Sequence, residues 1–167
     1  RWFSHAFRQK TPEVVEALCH QLTHIDAEGY AACCEALAAA DLRGEVAQIA
    51  IPVLIVAGES DPVTTVADAN FLHQQIPVSE VVVLAASHLS NIEAPGAFSS
   101  ALLGMLGLTP LEAISGSITA ISNVGPGLGP LIGPLGNFST LPDAAKWILA
   151  FDMMLGRLEI LTVAVLF

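Results

Sequence analysis

The stretch Ile51-Pro-Val-Leu-Ile-Val-Ala-Gly58 decides the fold class of the first part of this chain. It is a short, unbroken run of mostly β-branched and apolar residues that Pro52 introduces and Gly58 ends. Such a run is typical of a strand that is buried on both faces of a parallel sheet. A second run of the same kind, Val81-Val-Val-Leu-Ala-Ala86, follows further along the chain. The sequence therefore predicts an α/β fold with two neighbouring parallel strands.

An acidic side chain and an imidazole follow these two strands. The segment Glu59-Ser-Asp-Pro62 comes directly after the first strand and contains Asp61, and His88 follows the second strand by two residues. Open α/β sheets hold ligands and chemistry at the carboxyl ends of their strands, and an imidazole that acts as base for a serine needs a carboxylate to hold its tautomer. The sequence predicts an acid–base pair of Asp61 and His88. Two alternatives are that Asp61 caps a helix opening at Pro62 and that His88 is a surface or hydrogen-bonded histidine.

Two helices are predicted before the first strand. Thr11-Pro-Glu13 has the signature of a helix start, with Thr as the cap and Pro at the first helical position. The Ala-rich segment 26–40 predicts a second helix, whose cysteines we expect to pack in a core. His20 and His24 are four residues apart, which would let them share a metal ion, but no further ligand follows at a recognisable spacing. The sequence therefore favours no metal site there.

The composition sets limits on function. Charged residues make up 13% of the 167 residues, about half of the ~25% usual for soluble proteins. The mean hydropathy of +0.64 indicates that part of the chain lies in lipid or against a partner. A net charge of −10 argues against nucleic acid as a partner. Three cysteines, two of them adjacent, predict reduced thiols rather than disulfides, and no basic-then-apolar leader of a secretory signal is visible.

The chain changes character at Leu103-Gly-Met-Leu-Gly-Leu-Thr-Pro110. All five histidines and all three cysteines lie before this stretch. After it, Thr109-Pro-Leu-Glu112 predicts a helix of about 12 residues, or ~18 Å, which is too short to span a bilayer but suits a re-entrant helix. The Gly- and Pro-rich segment 125–136 then follows, and a plain linker is the alternative interpretation of it.

The last segment, residues 147–167, is 21 residues long and mostly apolar. That length can cross ~30 Å of hydrocarbon, so we expect membrane lipid around residues 143–167. Asp152, Arg157 and Glu159 do not suit lipid, because charges inside a membrane usually face a bundle interior or a water-filled path. A buried amphipathic helix is the alternative.

The first part resembles the C-terminal part of the 3-oxoadipate enol-lactonases, α/β-hydrolases of the β-ketoadipate pathway of aromatic degradation. The resemblance covers residues 1–106 and is carried by Gly29-Tyr-Ala-Ala-Cys33, Ile51 to Asp61, and Ala86-Ser-His-Leu-Ser-Asn-Ile-Glu-Ala-Pro95. It implies that Asp61 is the acid and His88 the base of a catalytic triad. It also implies a small-molecule lactone or ester as substrate, no cofactor and a cytoplasmic location.

The nucleophile of that fold is absent from the sequence. It should stand in a Gly-x-Ser-x-Gly elbow upstream of the acid, and no such motif occurs. Ser115-Gly-Ser117 lies downstream instead. Because covalent turnover needs a nucleophile, we expect no lactonase or esterase activity from this chain alone.

The second part, residues 107–167, resembles the C-terminal repeat of Trk-type potassium uptake proteins. The segments that carry the resemblance are Ser122-Asn-Val-Gly-Pro-Gly-Leu-Gly129, Gly136-Asn-Phe138, Ala145-Lys-Trp147 and Met154-Leu-Gly-Arg-Leu-Glu-Ile160. It implies that the carbonyls of Asn123, Val124 and Gly125 form one quarter of a filter for the permeant K⁺, since such filters replace the ion's hydration shell with carbonyl oxygens. It also implies that Arg157 faces the permeation path. One repeat cannot conduct, because four assemble the pore.

Together these observations predict a partial α/β-hydrolase followed by an all-α pore loop and transmembrane helix. We interpret the chain as a fused or truncated fragment that is inactive alone, cytoplasmic over residues 1–106 and membrane-bound over 107–167. One alternative is a subunit or remnant of a potassium channel. A second is a hydrolase that takes its nucleophile from elsewhere, and a third is a protein with neither function.

Overall fold

The computed structural model describes residues 2–165, with side chains as far as Arg157. Its helices and strands, in chain order, are α1 (His5–Lys10), α2 (Pro12–Leu22), α3 (Ala27–Ala39), β1 (Val53–Gly58), α4 (Val66–Gln75), β2 (Ser79–Leu84), α5 (Ser90–Glu93), α6 (Pro95–Met105), α7 (Pro110–Ile121) and α8 (Asp143–Val165).

Strands β1 and β2 pair in parallel, with Val53 opposite Ser79 and Gly58 opposite Leu84. This confirms the two neighbouring parallel strands. Helix α4 connects them and contributes Ala69 to the core. The strands are less buried than predicted, because no third strand joins them within residues 2–165. Val83, for example, is 46% exposed.

The helix after β1 begins at Val66 rather than at Pro62. Thr65 is its cap: its side chain accepts the N–H of Asp68, and the carboxylate of Asp68 accepts the N–H of Thr65. This reciprocal pair satisfies the first free N–H groups of the helix. The alternative in which Asp61 caps a helix opening at Pro62 is therefore wrong, and Asp61 is available for other contacts.

Helix α3 follows the predicted bounds closely, because Asp26 accepts the N–H of Gly29 at 2.6 Å as its cap. None of its residues is buried. Cys33 and Cys34 are exposed, so the prediction that they pack in a core is wrong. The cause is that no described element covers α3. The Thr11 hydroxyl also departs from expectation, since it donates to the carbonyl of Phe7 at 3.0 Å and makes no cap bond to α2.

The main hydrophobic core crosses the stretch where the sequence changes character. It joins Leu103 of α6, which is fully buried, to residues of α7, α8 and the loops that precede them: Leu108, Ala113, Ala120, Ile132, Leu141, Ala145 and Leu149. Helix α6 packs on α7 and α8 and also on the sheet. Residues 107–157 therefore share a core with the end of the first part.

Asp152, which looked out of place in the sequence, is 1% exposed. The Ser99 hydroxyl of α6 donates to its Oδ1 at 2.7 Å. The Ser117 hydroxyl of α7 lies 3.4 Å from Oδ2 and 3.0 Å from the carbonyl oxygen of Gly96. This cluster, Ser99–Asp152–Ser117, ties α8 to both neighbouring helices.

In the described part of the chain, no helix combines the length and the apolar character that a bilayer crossing needs. The predicted transmembrane helix over residues 147–167 stays a prediction. Residues 166 and 167 and the side chain of Glu159 lie outside the described residues.

We expect Gly156→Ala to destabilise the chain. A Cβ at Gly156 would overlap the backbone carbonyl of Ile121, so α7 and α8 would have to move apart. Overpacking of this kind costs about 1–3 kcal/mol. Gly104→Ala on α6 is the matched control, because a Cβ there meets nothing within 4 Å. It should leave the free energy of unfolding unchanged or raise it by up to about 1 kcal/mol. Urea denaturation of both variants measures the difference, and equal midpoints would contradict the tight helix crossing.

Candidate active site

The carboxyl ends of β1 and β2 bring the predicted acid and base together. Nδ1 of His88 lies 2.7 Å from Oδ2 of Asp61. The Asp61 side chain is 3% exposed, whereas that of His88 is 34% exposed. The carboxylate is thus buried, and the imidazole keeps access to solvent. This is the arrangement in which a carboxylate orients a catalytic histidine.

The loop after β1 holds Asp61 with several donors. The N–H groups of Val63 and Thr64 donate to Oδ1 at 2.8 and 3.2 Å, and the Thr64 hydroxyl donates to Oδ2 at 2.6 Å. Burial alone would raise the pKa of Asp61, but the hydrogen bonds from Thr64, Val63 and His88 outweigh it and lower the pKa to about 2. Asp61 is therefore a carboxylate at neutral pH and can accept a hydrogen bond from the Nδ1–H of His88.

Gly58 allows the two loops to approach. A Cβ at this position would overlap the carbonyl oxygens of Ala86 and Ser87. The loops are joined there by a backbone hydrogen bond of 3.0 Å from the Ser60 N–H to the Ala86 carbonyl. The sequence marks Gly58 as the end of a strand, but only the structure shows that its missing side chain sets the spacing between acid and base.

Two further residues position the site and escaped the reasoning from sequence. Thr64 is one, since its hydroxyl lies between Asp61 and His88, 3.3 Å from Nδ1 of the imidazole. Glu93 of α5 is the other: its Oε2 accepts the N–H of Ser87 at 3.0 Å and that of Ser4 at 3.1 Å. Glu93 thus fixes the backbone beside His88 and docks the start of the chain on it. The available signal was its place in the His-Leu-Ser-Asn-Ile-Glu segment.

A cavity of about 420 Å³ is lined by residues next to Asp61 and His88 in the sequence, although neither of the two lines it. Its walls come from the start of the chain and from the two loops, and they include Ser4, His5, Arg8, Ser60, Pro62 and Ser87. The downstream serines cannot serve this cavity as nucleophiles, because α7 directs them elsewhere. Ser115 accepts the N–H of Leu128 at 2.9 Å, and Ser117 is fully buried.

The predicted filter residues lie in the loop after α7. Asn123 and Gly125 have φ of 53° and 116°, so the backbone is left-handed at both. The Asn123 side chain donates to the carbonyl of Met153 at 3.2 Å, and the Val124 N–H donates to Thr119 at 3.0 Å. The loop is thereby held against α7 and α8. Arg157 lies one turn beyond Met153 and is exposed.

The rings of His20 and His24 are in contact but tilted, with centroids 4.4 Å apart and 42° between their planes. Nδ1 of His24 lies 2.8 Å from the backbone carbonyl oxygen of His20, which fits an N–H donated to that oxygen. Among the residues that the structure describes, no group of three or more His, Cys, Asp or Glu could hold a metal ion.

Comparison with solved structures defines the class of the first part as α/β-hydrolase-like. The enol-lactonase from Burkholderia xenovorans LB400 matches with a TM-score of 0.63 and 39% identity, over 65% of this chain and 42% of that one. A hydrolase from Pseudomonas aeruginosa PA01 matches with a TM-score of 0.60 and 36% identity, over 64% and 40%.

Two kinds of curated relative match different regions of the chain. The 3-oxoadipate enol-lactonase 2 of Acinetobacter baylyi is 55% identical over 102 residues, which is 61% of this chain. The Trk system potassium uptake protein TrkI of Halomonas elongata is 64% identical over 64 residues, which is 38% of this chain. The TrkH protein of Escherichia coli K12 is 39% identical over 61 residues. No protein-family model matches.

The two similarities together account for nearly all of the chain, as in a chimera. The chain spans 38% of the length of the Acinetobacter lactonase and 13% of that of the Halomonas protein. Each relative thus has a large part with no counterpart in these 167 residues.

The low pKa of Asp61 predicts a loss of stability in acid. Its folded-state pKa of about 2 lies below the ordinary value of 3.8, so its contribution to stability is present above pH 3.8 and is lost as pH falls through about 2. Asp61→Asn should therefore lower the free energy of unfolding at neutral pH and flatten its decline between those two values. Urea denaturation across this range measures it. Glu59→Gln, which removes an exposed neighbouring carboxylate, is the control. An equal acid profile in Asp61→Asn and the unmodified chain would contradict the prediction.

Proposed function

We propose that this chain supplies the acid and base of an α/β-hydrolase site for a small lactone or ester, and that its nucleophile comes from outside these 167 residues. The observation that carries the proposal is the 2.7 Å contact between His88 Nδ1 and Asp61 Oδ2. The partial similarity to enol-lactonases supports the substrate class.

The geometry supports a defined role for each group. With its proton on Nδ1 directed at Asp61, His88 presents a basic Nε2 to a serine hydroxyl. Nε2 takes the hydroxyl proton as the serine oxygen attacks the carbonyl carbon, and it later gives that proton to the leaving oxygen. Asp61 stays ionised and stabilises the imidazolium. The oxyanion hole belongs with the nucleophile in this fold, so it too must come from the missing part.

The experiment is complementation in trans. The full chain is mixed with the segment of the Acinetobacter lactonase that it does not match, and hydrolysis of p-nitrophenyl butyrate is followed. We expect no turnover from either piece alone and clear turnover from the mixture. His88→Ala should lower kcat of the mixture by about 10⁴–10⁶-fold, the range measured when the histidine of a serine triad is misoriented or removed. A serine-directed phosphonate should label the added segment only.

His20→Ala is the matched control, because this histidine is exposed on α2 and should leave the rate unchanged. Turnover by the chain alone that His88→Ala abolishes would show that the nucleophile lies within these residues. If both pieces are folded and their mixture does not hydrolyse p-nitrophenyl butyrate, the proposal is contradicted.

We also propose that residues 107–167 are one repeat of a potassium pore, which binds K⁺ only together with three others and in that assembly lies in a membrane. The left-handed backbone at Asn123 and Gly125 supports it, because filter carbonyls need such conformations. The 64% identity to the Halomonas protein supports it as well. In this proposal the carbonyls of Asn123, Val124 and Gly125 contact K⁺ and Arg157 faces the path.

The repeat is tested by exchange. Residues 107–167 replace the matching segment of the Halomonas protein, and growth of an uptake-deficient cell at low potassium is measured. We expect growth to be restored and Gly125→Ala to abolish it, since a Cβ strains the backbone at a φ of 116°. Leu135→Ala, at a fully exposed position, is the control and should grow. Failure of a membrane-inserted exchange protein to restore growth would contradict the proposal.

A further inference from the structure

The hydrogen bonds around Asp152 do not balance if this residue is ionised. The Ser99 hydroxyl donates its one proton to Oδ1 at 2.7 Å. The Ser117 hydroxyl also has one proton, and it faces two acceptors: the Gly96 carbonyl oxygen at 3.0 Å and Oδ2 of Asp152 at 3.4 Å. The shorter contact takes the proton. An ionised Asp152 would then leave Oδ2 buried without a good donor, which is costly.

A proton on Oδ2 completes the network. Asp152 then donates from Oδ2 to Oγ of Ser117, Ser117 donates to Gly96, and Ser99 donates to Oδ1. Each hydroxyl proton has one acceptor, and both carboxyl oxygens are satisfied. Proton counting therefore favours a neutral acid at the contact of α6, α7 and α8.

The surrounding charges give no other way to stabilise a carboxylate. Helix α6 has no ionisable side chain. Glu112 is the ionisable residue of α7, and its carboxylate accepts from Thr109 and from the Leu131 N–H. Glu93 of α5 accepts from backbone N–H groups.

The described charges of α8 do not reach Asp152 either. Lys146 is 3.1 Å from Asp143, and Arg157 is exposed. No cation of residues 2–157 forms an ion pair with Asp152.

We infer that Asp152 is a proton-dependent latch, which in its neutral form holds α8 against α6 and α7 and on ionisation loosens that contact. The latch is independent of the proposed hydrolase and pore functions. It makes the packing of the potassium-transporter-like segment on the lactonase-like segment sensitive to pH. Burial, opposed only in part by the two serines, also raises the pKa of Asp152 above its ordinary 3.8.

The sign follows from linkage. Above pH 3.8 the unfolded chain ionises Asp152, while the folded chain still holds the proton. The unfolding equilibrium constant therefore rises by up to about tenfold per pH unit until the folded-state pKa is reached. This window lies above that of Asp61 and has the opposite slope, so the two effects separate.

Asp152→Asn tests the latch, because an amide can donate to Ser117 and accept from Ser99 but cannot ionise. We expect the ratio of unfolding constants, unmodified chain over variant, to rise with pH above 3.8 and to level off once folded Asp152 ionises. The exposed Asp143→Asn on the same helix is the control and should leave the slope unchanged. A constant ratio at every pH would overturn the inference.

Infrared spectroscopy of the unmodified chain keeps the test decisive if Asp152→Asn does not fold. A carbonyl stretch of a protonated carboxylic acid should persist above about pH 6, where ordinary aspartates and glutamates are both more than nine-tenths ionised. Ser99→Ala, which removes the donor to Oδ1, should shift the frequency of that band. Absence of a protonated band above that pH in the folded chain would show that Asp152 is ionised and that no latch exists.

Discussion

Helix α6 packs against both the two-stranded sheet and the helices α7 and α8, and the rest of the described structure depends on this double contact. Its Leu103 is fully buried in the core that α6 shares with α7 and α8. A two-stranded sheet with one connecting helix buries little apolar surface, and such small sheets are marginal by themselves. The potassium-transporter-like segment therefore supplies much of the core on which the lactonase-like segment rests. At residues 103–110 the sequence changes from lactonase-like to potassium-transporter-like, but the hydrophobic core continues through this stretch.

The acid–base pair depends on much shorter-range contacts. Apart from His88, the donors to Asp61 are Val63 and Thr64 of the same loop, and the approach of the two loops needs the absence of a side chain at Gly58. Glu93 then fixes the backbone at Ser87. None of these contacts requires the strands that a complete α/β-hydrolase would add. This is why a partial sheet with an exposed edge still carries a well-defined carboxylate–imidazole contact, while the chemistry itself needs a nucleophile from elsewhere.

The parts of the fold that could be predicted are those with local signals. The β-branched run before Gly58 predicts β1, and Thr109 with Glu112 predicts the start of α7, where the capping box is present. The start of α4 is harder to predict than that of α7, because the sequence allows a helix to start at Pro62 or after Thr65. The hydrogen bonds of Thr65 with Asp68 decide between them. The exposure of Cys33 and Cys34 was also out of reach, since it depends on which elements are available to cover α3.

Long-range packing explains the residue that fitted the sequence patterns least. In a segment read as membrane-spanning, Asp152 is an anomaly, because a charge in hydrocarbon is costly. In the folded chain its carboxyl oxygens contact hydroxyl groups from α6 and α7. Ser99, which donates to it, lies in the lactonase-like segment. Neither segment alone predicts this contact. A polar residue that does not suit lipid can thus indicate that its helix packs against other helices, even where the neighbouring residues in the sequence are apolar. Here Asp152 indicates that α8 packs against α6 and α7. Its buried carboxyl oxygens are hydrogen-bonded to Ser99 and Ser117, and by proton counting the carboxyl group carries a proton.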